Sequence, residues 1–364
     1  MEREECLKTL REEIEAVDSQ ILQLLNERAE IVLDVGSVKR EANMDFYDPQ
    51  REREILYRLG LKNSGLFPQQ AVSSVFREII SACRSLETEL AAAYFGPPGT
   101  HTHLACLHHF GNSINAQPKE GIEDVFEAVE RERANYGVVP VENSTEGSVD
   151  RTLDMFIDWD VKICAEVYLR ISHEFLSRNG RSDTVRKIYS HPQALGQCRH
   201  WVRKNFPHAQ LIETGSTSKA AEMAAGEEDA AAIASSFAGH LYGLKVIASH
   251  IEDSLHNVTR FFVLGKQANE RTGRDKTSLV FSISHTPGSL YEILKIFSER
   301  EINLTKIESR PMRGKPWEYV FFVDFDGHAT DDPIDEAVSE LKKTVLLMKL
   351  LGSYPKVSFE AAES

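Results

Sequence analysis

No run of about 18 apolar residues occurs anywhere in this chain of 364 residues, which argues against a membrane-spanning helix. The opening stretch, MEREECLKTLREE, is charged throughout and lacks the apolar centre of an export signal, so a cytosolic location is expected. Cysteine is scarce. The five thiols, Cys6, Cys83, Cys106, Cys164 and Cys198, are odd in number and form no Cys-x-x-Cys pair, which fits reduced, mostly packed side chains. An excess of positive charge is also missing. With a formal net charge of −14, the average surface repels phosphate, so neither nucleic acid nor an acidic membrane is expected as a partner. Two nucleotide signatures are absent as well: GPPGTHT, Gly96 to Thr102, has no Walker lysine, and no Gly-x-Gly-x-x-Gly follows a strand.

What is present falls into three zones. A length prior near 150 residues per domain suggests roughly two or three domains. Residues 3 to 42 contain no proline and a single glycine, and their apolar residues recur as a heptad seam: Leu7, Leu10, Ile14, Val17, Ile21, Leu24, Ile31, Val35 and Val38. A helix of this extent is roughly 60 Å long at 1.5 Å per residue. A small domain cannot cover it alone, so a second chain is expected. Asp48 and Pro49 read as cap and first turn of a second helix, and Pro68 opens a third. From Ala91 onward, short apolar runs (AAAYF, YGVVPV, VKICAEVYL, RKIYS, AQLIET, DAAAIAS, TRFFVLG) alternate with helical stretches, an α/β pattern. After the polar linker KQANERTGRDK, the order strand, helix, strand, strand, helix, strand is that of a ferredoxin-like unit.

Within the heptad seam, Arg28 stands where an apolar residue is due, and Arg11 and Lys39 each follow a seam residue by one position. A guanidinium in a helix core requires an anion. The alternative is a polar residue that sets coiled-coil register, or side chains that snorkel to solvent. With Asp48, Arg51 and Glu52 in DPQRERE and a last helix ending near Glu87, residues 1–90 resemble the helical chorismate mutase family. The resemblance implies a homodimer in which Arg11 crosses to the partner's site, Arg28 and Arg51 hold carboxylates, Lys39 donates to the ether oxygen, and Glu52 with Asp48 holds the ring hydroxyl. Glu87 falls where some members carry glutamine as a second ether-oxygen donor. A carboxylate cannot donate, so Glu87 is expected to act protonated.

Four segments of the α/β zone place small or polar residues after a strand, where helix N-termini present free N–H groups to anions. They are Gly96-Pro97-Pro98-Gly99-Thr100, Glu142-Asn143-Ser144, Ser190-His191-Pro192-Gln193 and Gly215-Ser216-Thr217. The cluster His101, His103, His108 and His109 has no known ligand spacing, and no metal or cofactor is expected. GPPGTHTHLA, VPVENSTEGSV, SHPQAL, AAIASSFAGHLYGL and NVTRFFVLG together make residues 91–270 resemble prephenate dehydratases. The resemblance implies a two-lobed fold like that of periplasmic solute-binding proteins, with the site in its cleft. Thr259 would donate to the leaving hydroxyl, Arg260 would hold a carboxylate or fix its strand, and Phe261 would complete the triplet. Glu142 would be an acid or an orienting group, and Thr100, Asn143, Ser144, Ser190, His191, Gln193 and Thr217 would bind substrate. His101 stands where the family usually has an aromatic residue.

In the last unit, residues 277–359, HTPGSLYEIL and IESRP resemble ACT regulatory domains. This implies phenylalanine as effector, bound near Gly288, Ser289, Leu290, Glu308, Ser309 and Arg310, with Ser289 where alanine is common. The chain is thus expected to be multidomain: an all-α mutase-type dimer domain, a two-lobed α/β dehydratase domain and an α+β ferredoxin-like ACT domain. It would turn chorismate into prephenate and then phenylpyruvate as a homodimer, with a pair of dimers left open. A non-enzymatic ligand sensor is one rival reading, which leaves Arg28 in the seam unexplained; a lesser one keeps the dehydratase and makes the helical zone a dimeriser that has lost mutase function.

Overall fold

The computed structural model describes residues 2–42, 44, 47–254, 256–284, 286–312 and 318–357, so the last two residues of the expected third domain lie outside the described residues. The chain forms two compact units, the first comprising residues up to Leu90 with Phe110–Asn115, the second the remainder.

The first unit is built from α1 (Glu2–Glu41), α2 (Pro49–Lys62) and α3 (Gln69–Glu87). Asp48 caps α2 by accepting a hydrogen bond from Arg51 N at 2.9 Å, and Pro49 supplies the first-turn φ that needs no N–H donor. The heptad seam of α1 remains exposed within the single chain: Leu7, Ile14, Ile21, Ile31 and Val38 are each about half or more accessible. Near its C-terminal end α1 meets α3, where Gly36 is buried and a Cβ would lie 3.2 Å from Glu87 Cγ. The segment after Phe110 closes on α3, with Asn112 N donating to Glu78 Oε2 at 3.1 Å.

The second unit continues as β1 (Ala91–Phe95), α4 (His101–Phe110), β2 (Asn115–Lys119), α5 (Ile122–Glu130), β3 (Tyr136–Asn143), β4 (Gly147–Ser148), α6 (Asp150–Asp158) and β5 (Lys162–Arg170). There follow β6 (Glu174–Ser177), β7 (Lys187–Ser190), α7 (Pro192–Gln197), α8 (Arg199–Asn205), β8 (Gln210–Glu213), α9 (Thr217–Ala225), β9 (Ala230–Ala234), α10 (Ser236–Leu241), β10 (Lys245–Ala248) and β11 (Val258–Gly265). The tail holds β12 (Asp275–Ser282), α11 (Ser289–Ser298), β13 (Leu304–Pro311), β14 (Tyr319–Asp326), α12 (Asp332–Thr344) and β15 (Leu347–Pro355).

Three sheets result. The first lobe has the order β2-β1-β3-β11-β5 with β4 on β3, and the second has β10-β6-β9-β7-β8. The chain therefore crosses to the second lobe after β5 and returns as β11, which lies antiparallel between β3 and β5. Two crossings leave a cleft between the lobes. The tail forms the antiparallel sheet β13-β14-β12-β15, the ferredoxin-like arrangement. Strands β2, β4, β6 and β10 are not among the apolar runs; β2 is a polar edge strand containing Pro118 and β4 has two residues.

Packing explains why the tail belongs to the same unit as the first lobe. Phe126, Phe156, Ile163 and Phe262 of that lobe share one core with Val280, Val320, Leu351 and Tyr354 of the tail sheet. β15 approaches β5 so closely that a Cβ on Gly352 would lie 2.3 Å from the Ile163 carbonyl oxygen. In the second lobe, Ala220, Ala221, Ala224, Ala230, Ala232 and Ala234 let α9 lie tightly on β9.

Candidate functional sites

In the helical unit the three helices bring charged groups together. Lys39 Nζ of α1 lies 3.6 Å from Glu87 Oε2 of α3. Glu52 of α2 has its Oε1 2.5 Å from Arg84 Nη1, and Arg84 also stacks over Tyr47 at 4.8 Å. Burial pushes the Glu52 carboxyl up, Arg84 and Lys39 oppose that rise, and Asp48 adds to it. Arg28 is partly buried on α1, with its Nη1 shut off from solvent and without a hydrogen-bond partner among the described residues. Such an orphaned cation suits an anionic ligand. Arg11 is exposed on the open stretch of α1. Arg51 is exposed and pairs with Glu54 at 3.6 Å. Arg84, which takes one oxygen of Glu52, has no local signal in the sequence, because its partner lies 32 residues away.

The cleft of the second unit holds a cavity of about 800 Å³. Among the expected residues, Thr100, Asn143, His191, Gln193, Thr217, Thr259 and Phe261 line it. Their placement follows from local structure. Gly96 and Gly99 adopt φ +97° and +87° to turn the loop before α4, and Ser216 caps α9 by accepting from Lys219 N at 3.0 Å, leaving Thr217 at the helix start. Pro98 O accepts hydrogen bonds from Ser218 Oγ and Tyr242 Oη, which ties the first-lobe loop to the second lobe.

A chain of amides orients the central hydroxyl. Asn143 Nδ2 donates to Thr259 Oγ1 at 2.9 Å and to Asn257 Oδ1 at 2.7 Å. Asn257 Nδ2 donates to Gln197 Oε1 at 3.1 Å, and the same oxygen lies 2.8 Å from His173 Nε2. With one lone pair of Thr259 Oγ1 occupied by Asn143, its proton is left for an acceptor in the cavity. Two lysines reach the wall, Lys119, which donates to Gln117 Oε1 at 3.4 Å, and Lys219, which pairs with Glu222 at 2.9 Å; neither carries a signal in the sequence. Gln197 could have been found from its spacing, four residues after Gln193 on α7; His173 and Lys119 left no local signal.

Four expected residues lie elsewhere. Ser190 is fully buried and donates to Ile233 O at 2.7 Å. Ser144 Oγ donates to His256 O at 2.9 Å and accepts from Val258 N at 3.0 Å, which fastens the loop to β11. Arg260 turns to the back of the sheet, where its guanidinium is buried against Glu166 and Asp324. Glu142 also faces away from the cavity and pairs with Lys306 at 2.9 Å.

The histidines have other occupations. His103 stacks on Tyr94 at 4.5 Å and accepts from Gly99 N at 3.1 Å. His101 lines the cavity edge-on to His173, ring centroids 6.2 Å apart, with its Nε2 shut off from solvent. Burial, and secondarily His173, pull the His101 pKa down to about 4. Among the described residues no three His, Cys, Asp or Glu side chains converge as a metal site requires. A depressed histidine favours the neutral folded form, so its cost is absent above the ordinary pKa of 6.5 and grows as pH falls toward 4. His101→Phe should therefore flatten the loss of unfolding free energy between pH 7 and 4.5, by at most about 3 kcal/mol. Urea titrations of both proteins across that range check this, and parallel curves would refute it.

In the tail sheet, Gly288 at φ +89° precedes α11, and Ser289 Oγ lies 2.6 Å from Thr286 Oγ1. Leu290 is half-buried. β13 alternates strictly between partly buried and exposed residues. Its inward members engage the first lobe: Ser148 Oγ donates to Glu308 Oε2 at 2.8 Å, and Arg310 pairs with Asp150 and, at 3.2 Å, with Asp154. Ser309 faces outward.

Comparison with known proteins agrees with this architecture. Family profiles match for chorismate mutase type II over residues 10–88, prephenate dehydratase over residues 92–269 and the ACT domain over residues 277–343. The chain is 48% identical to the bifunctional chorismate mutase/prephenate dehydratase of Aquifex aeolicus, over 97% of this chain and 98% of that one. The structure of prephenate dehydratase from Arthrobacter aurescens in complex with L-Phe is 34% identical with a TM-score of 0.68, covering 73% of this chain and 90% of that one. GqqA, a quorum quenching acylase, has a similar structure at 27% identity, TM-score 0.69, covering 74% of this chain and 99% of that one. A shared scaffold can host different chemistries, but identity across all three modules is decisive for kinship: the chain belongs to the bifunctional chorismate mutase/prephenate dehydratase family.

Proposed function

We propose that this enzyme rearranges chorismate to prephenate in its helical unit and converts prephenate to phenylpyruvate in its two-lobed cleft, with phenylalanine as feedback effector of the tail sheet. The observation that carries the reading is Thr259, whose hydroxyl is oriented by Asn143 in the wall of a cavity flanked by Lys119 and Lys219. In the second reaction the ring carboxylate leaves as carbon dioxide, the electrons of its C–C bond enter the ring, and the ring hydroxyl leaves with one added proton as water. A donor at the departing oxygen and cations for two carboxylates meet those demands.

The first reaction is pericyclic and needs no nucleophile. It needs a compact substrate conformer and fixed charge where the breaking ether bond becomes polar. Lys39 and Glu87 face that oxygen in our reading, Arg28 and Arg51 hold carboxylates, and the second oxygen of Glu52 receives the ring hydroxyl with Asp48 alongside. The exposed seam of α1 supports a homodimer in which a second copy covers it and Arg11 reaches the partner's site; assembly of dimers into tetramers would add to this. No helix among the described residues is long and apolar enough to cross a membrane, and we place the enzyme in the cytosol. Purified protein incubated with chorismate should accumulate prephenate transiently and then phenylpyruvate, and added phenylalanine should slow the second product. A protein that binds phenylalanine but forms neither product would support the sensor reading instead.

A further inference from the structure

Glu142 and Arg260 lie opposite one another on the paired strands β3 and β11. Each adjoins a cavity-lining residue, Asn143 and Thr259, and those two are likewise opposite. Successive side chains of a strand point to opposite faces, so the charged pair points away from the cleft. There it meets the tail sheet. Glu142 Oε2 lies 2.9 Å from Lys306 Nζ on β13, and Arg260 Nη1 lies 2.6 Å from Asp324 Oδ2 on β14.

Both attachments are built up by further contacts. Lys306 also donates to Ser148 Oγ at 3.1 Å, and Ser148 donates to Glu308. Arg260 additionally bonds Glu166 Oε2 of β5 at 2.9 Å and Tyr354 Oη of β15 at 3.0 Å, while Lys276 of β12 holds the same Glu166 at 2.9 Å. Burial pushes the Asp324 carboxyl up, but Arg260 and Ser278 bring it below the ordinary carboxylate range. The pairing of β3 and β11 slips in register between Arg260 and Phe261, and such bulges re-aim side chains next to active sites.

We propose that Glu142 and Arg260 are positioning residues of the dehydratase site, through which the tail sheet sets the placement of Asn143 and Thr259. This rests on the dehydratase reading of the cleft and on phenylalanine as effector of the tail. Arg260 shares Glu166 with Lys276, so withdrawal of Asp324 would leave two buried cations on one carboxylate, and β14 is thereby tied to β11. Lys306 lies two residues from Glu308 on β13, so displacement of that strand reaches the neighbour of Asn143 directly. A purely adhesive interface would change stability and leave turnover and effector response alone.

The test uses Lys306→Met and Glu142→Gln, singly and combined, in the full-length enzyme. It measures kcat and KM from prephenate, inhibition by phenylalanine, phenylalanine binding by calorimetry, and mutase rate as a folding control. Each single variant should lower kcat about fivefold or more with KM nearly unchanged and should weaken inhibition. The double variant should be no worse than the poorer single one, since both remove one link. Additive losses overturn the proposal, as do unchanged kcat and inhibition in both singles. So does a loss of hundredfold or more in Glu142→Gln alone, which would place Glu142 in the chemistry. Tyr354→Phe removes one oxygen at nearly constant shape and reads the Arg260 arm; unaltered inhibition there refutes that half. If the wild-type enzyme binds no phenylalanine, the effector reading fails while the kcat results still decide positioning.

Discussion

Thr259→Ala should reduce phenylpyruvate formation from prephenate by roughly 10²- to 10³-fold, the usual loss when one preorganised donor to a developing charge is removed, while the mutase rate stays at its wild-type value. The geometry separates chemistry from folding. Asn143 Nδ2 keeps its bond to Asn257 Oδ1 at 2.7 Å when the threonine hydroxyl is gone, and the amide chain to Gln197 does not involve Thr259. The stability cost should therefore be only about 1 kcal/mol, in the ordinary range for a single substitution. Thr259→Ser retains the hydroxyl and should recover most of the activity. Near-normal turnover in the alanine variant would remove Thr259 from the reaction, and parallel loss of mutase activity would show a folding defect.

Lys39→Met should abolish prephenate formation to a similar extent, roughly 10²- to 10³-fold, and leave conversion of supplied prephenate intact. Its 3.6 Å approach to Glu87 is an ion-pair distance, longer than a hydrogen bond, and Glu87 Oε2 has no hydrogen-bond partner among the described residues. Two groups so placed can address one ligand oxygen only if the carboxyl carries its proton. Glu87→Gln, whose amide donates a hydrogen bond, should therefore keep or raise mutase turnover. Loss of turnover in that variant would remove Glu87 from this role.

The features legible in the sequence were local and periodic. The heptad seam interrupted by Arg28, the cap at Asp48, the strand-to-helix turns and the order of elements in the tail all depend on residues within one or two turns of each other. Family resemblance then gathered these segments around a cleft, and Thr259, Asn143, His191 and Thr217 line the cavity. Resemblance did not say which face of a strand each residue uses. Arg260 and Glu142 sit in the same short segments as Thr259 and Asn143, yet alternation turns them to the opposite side of the sheet. Nor could spacing supply Arg84 for Glu52, or Asp324 and Glu166 for Arg260, partners 32, 64 and 94 residues distant. By itself the sequence determined most of the elements, their order and the chemical inventory, because propensity and periodicity act over short spans of chain. Only the tertiary structure decided which charges face substrate and which bind one sheet to the next, because compensating a buried charge requires a partner that the fold must deliver from far away.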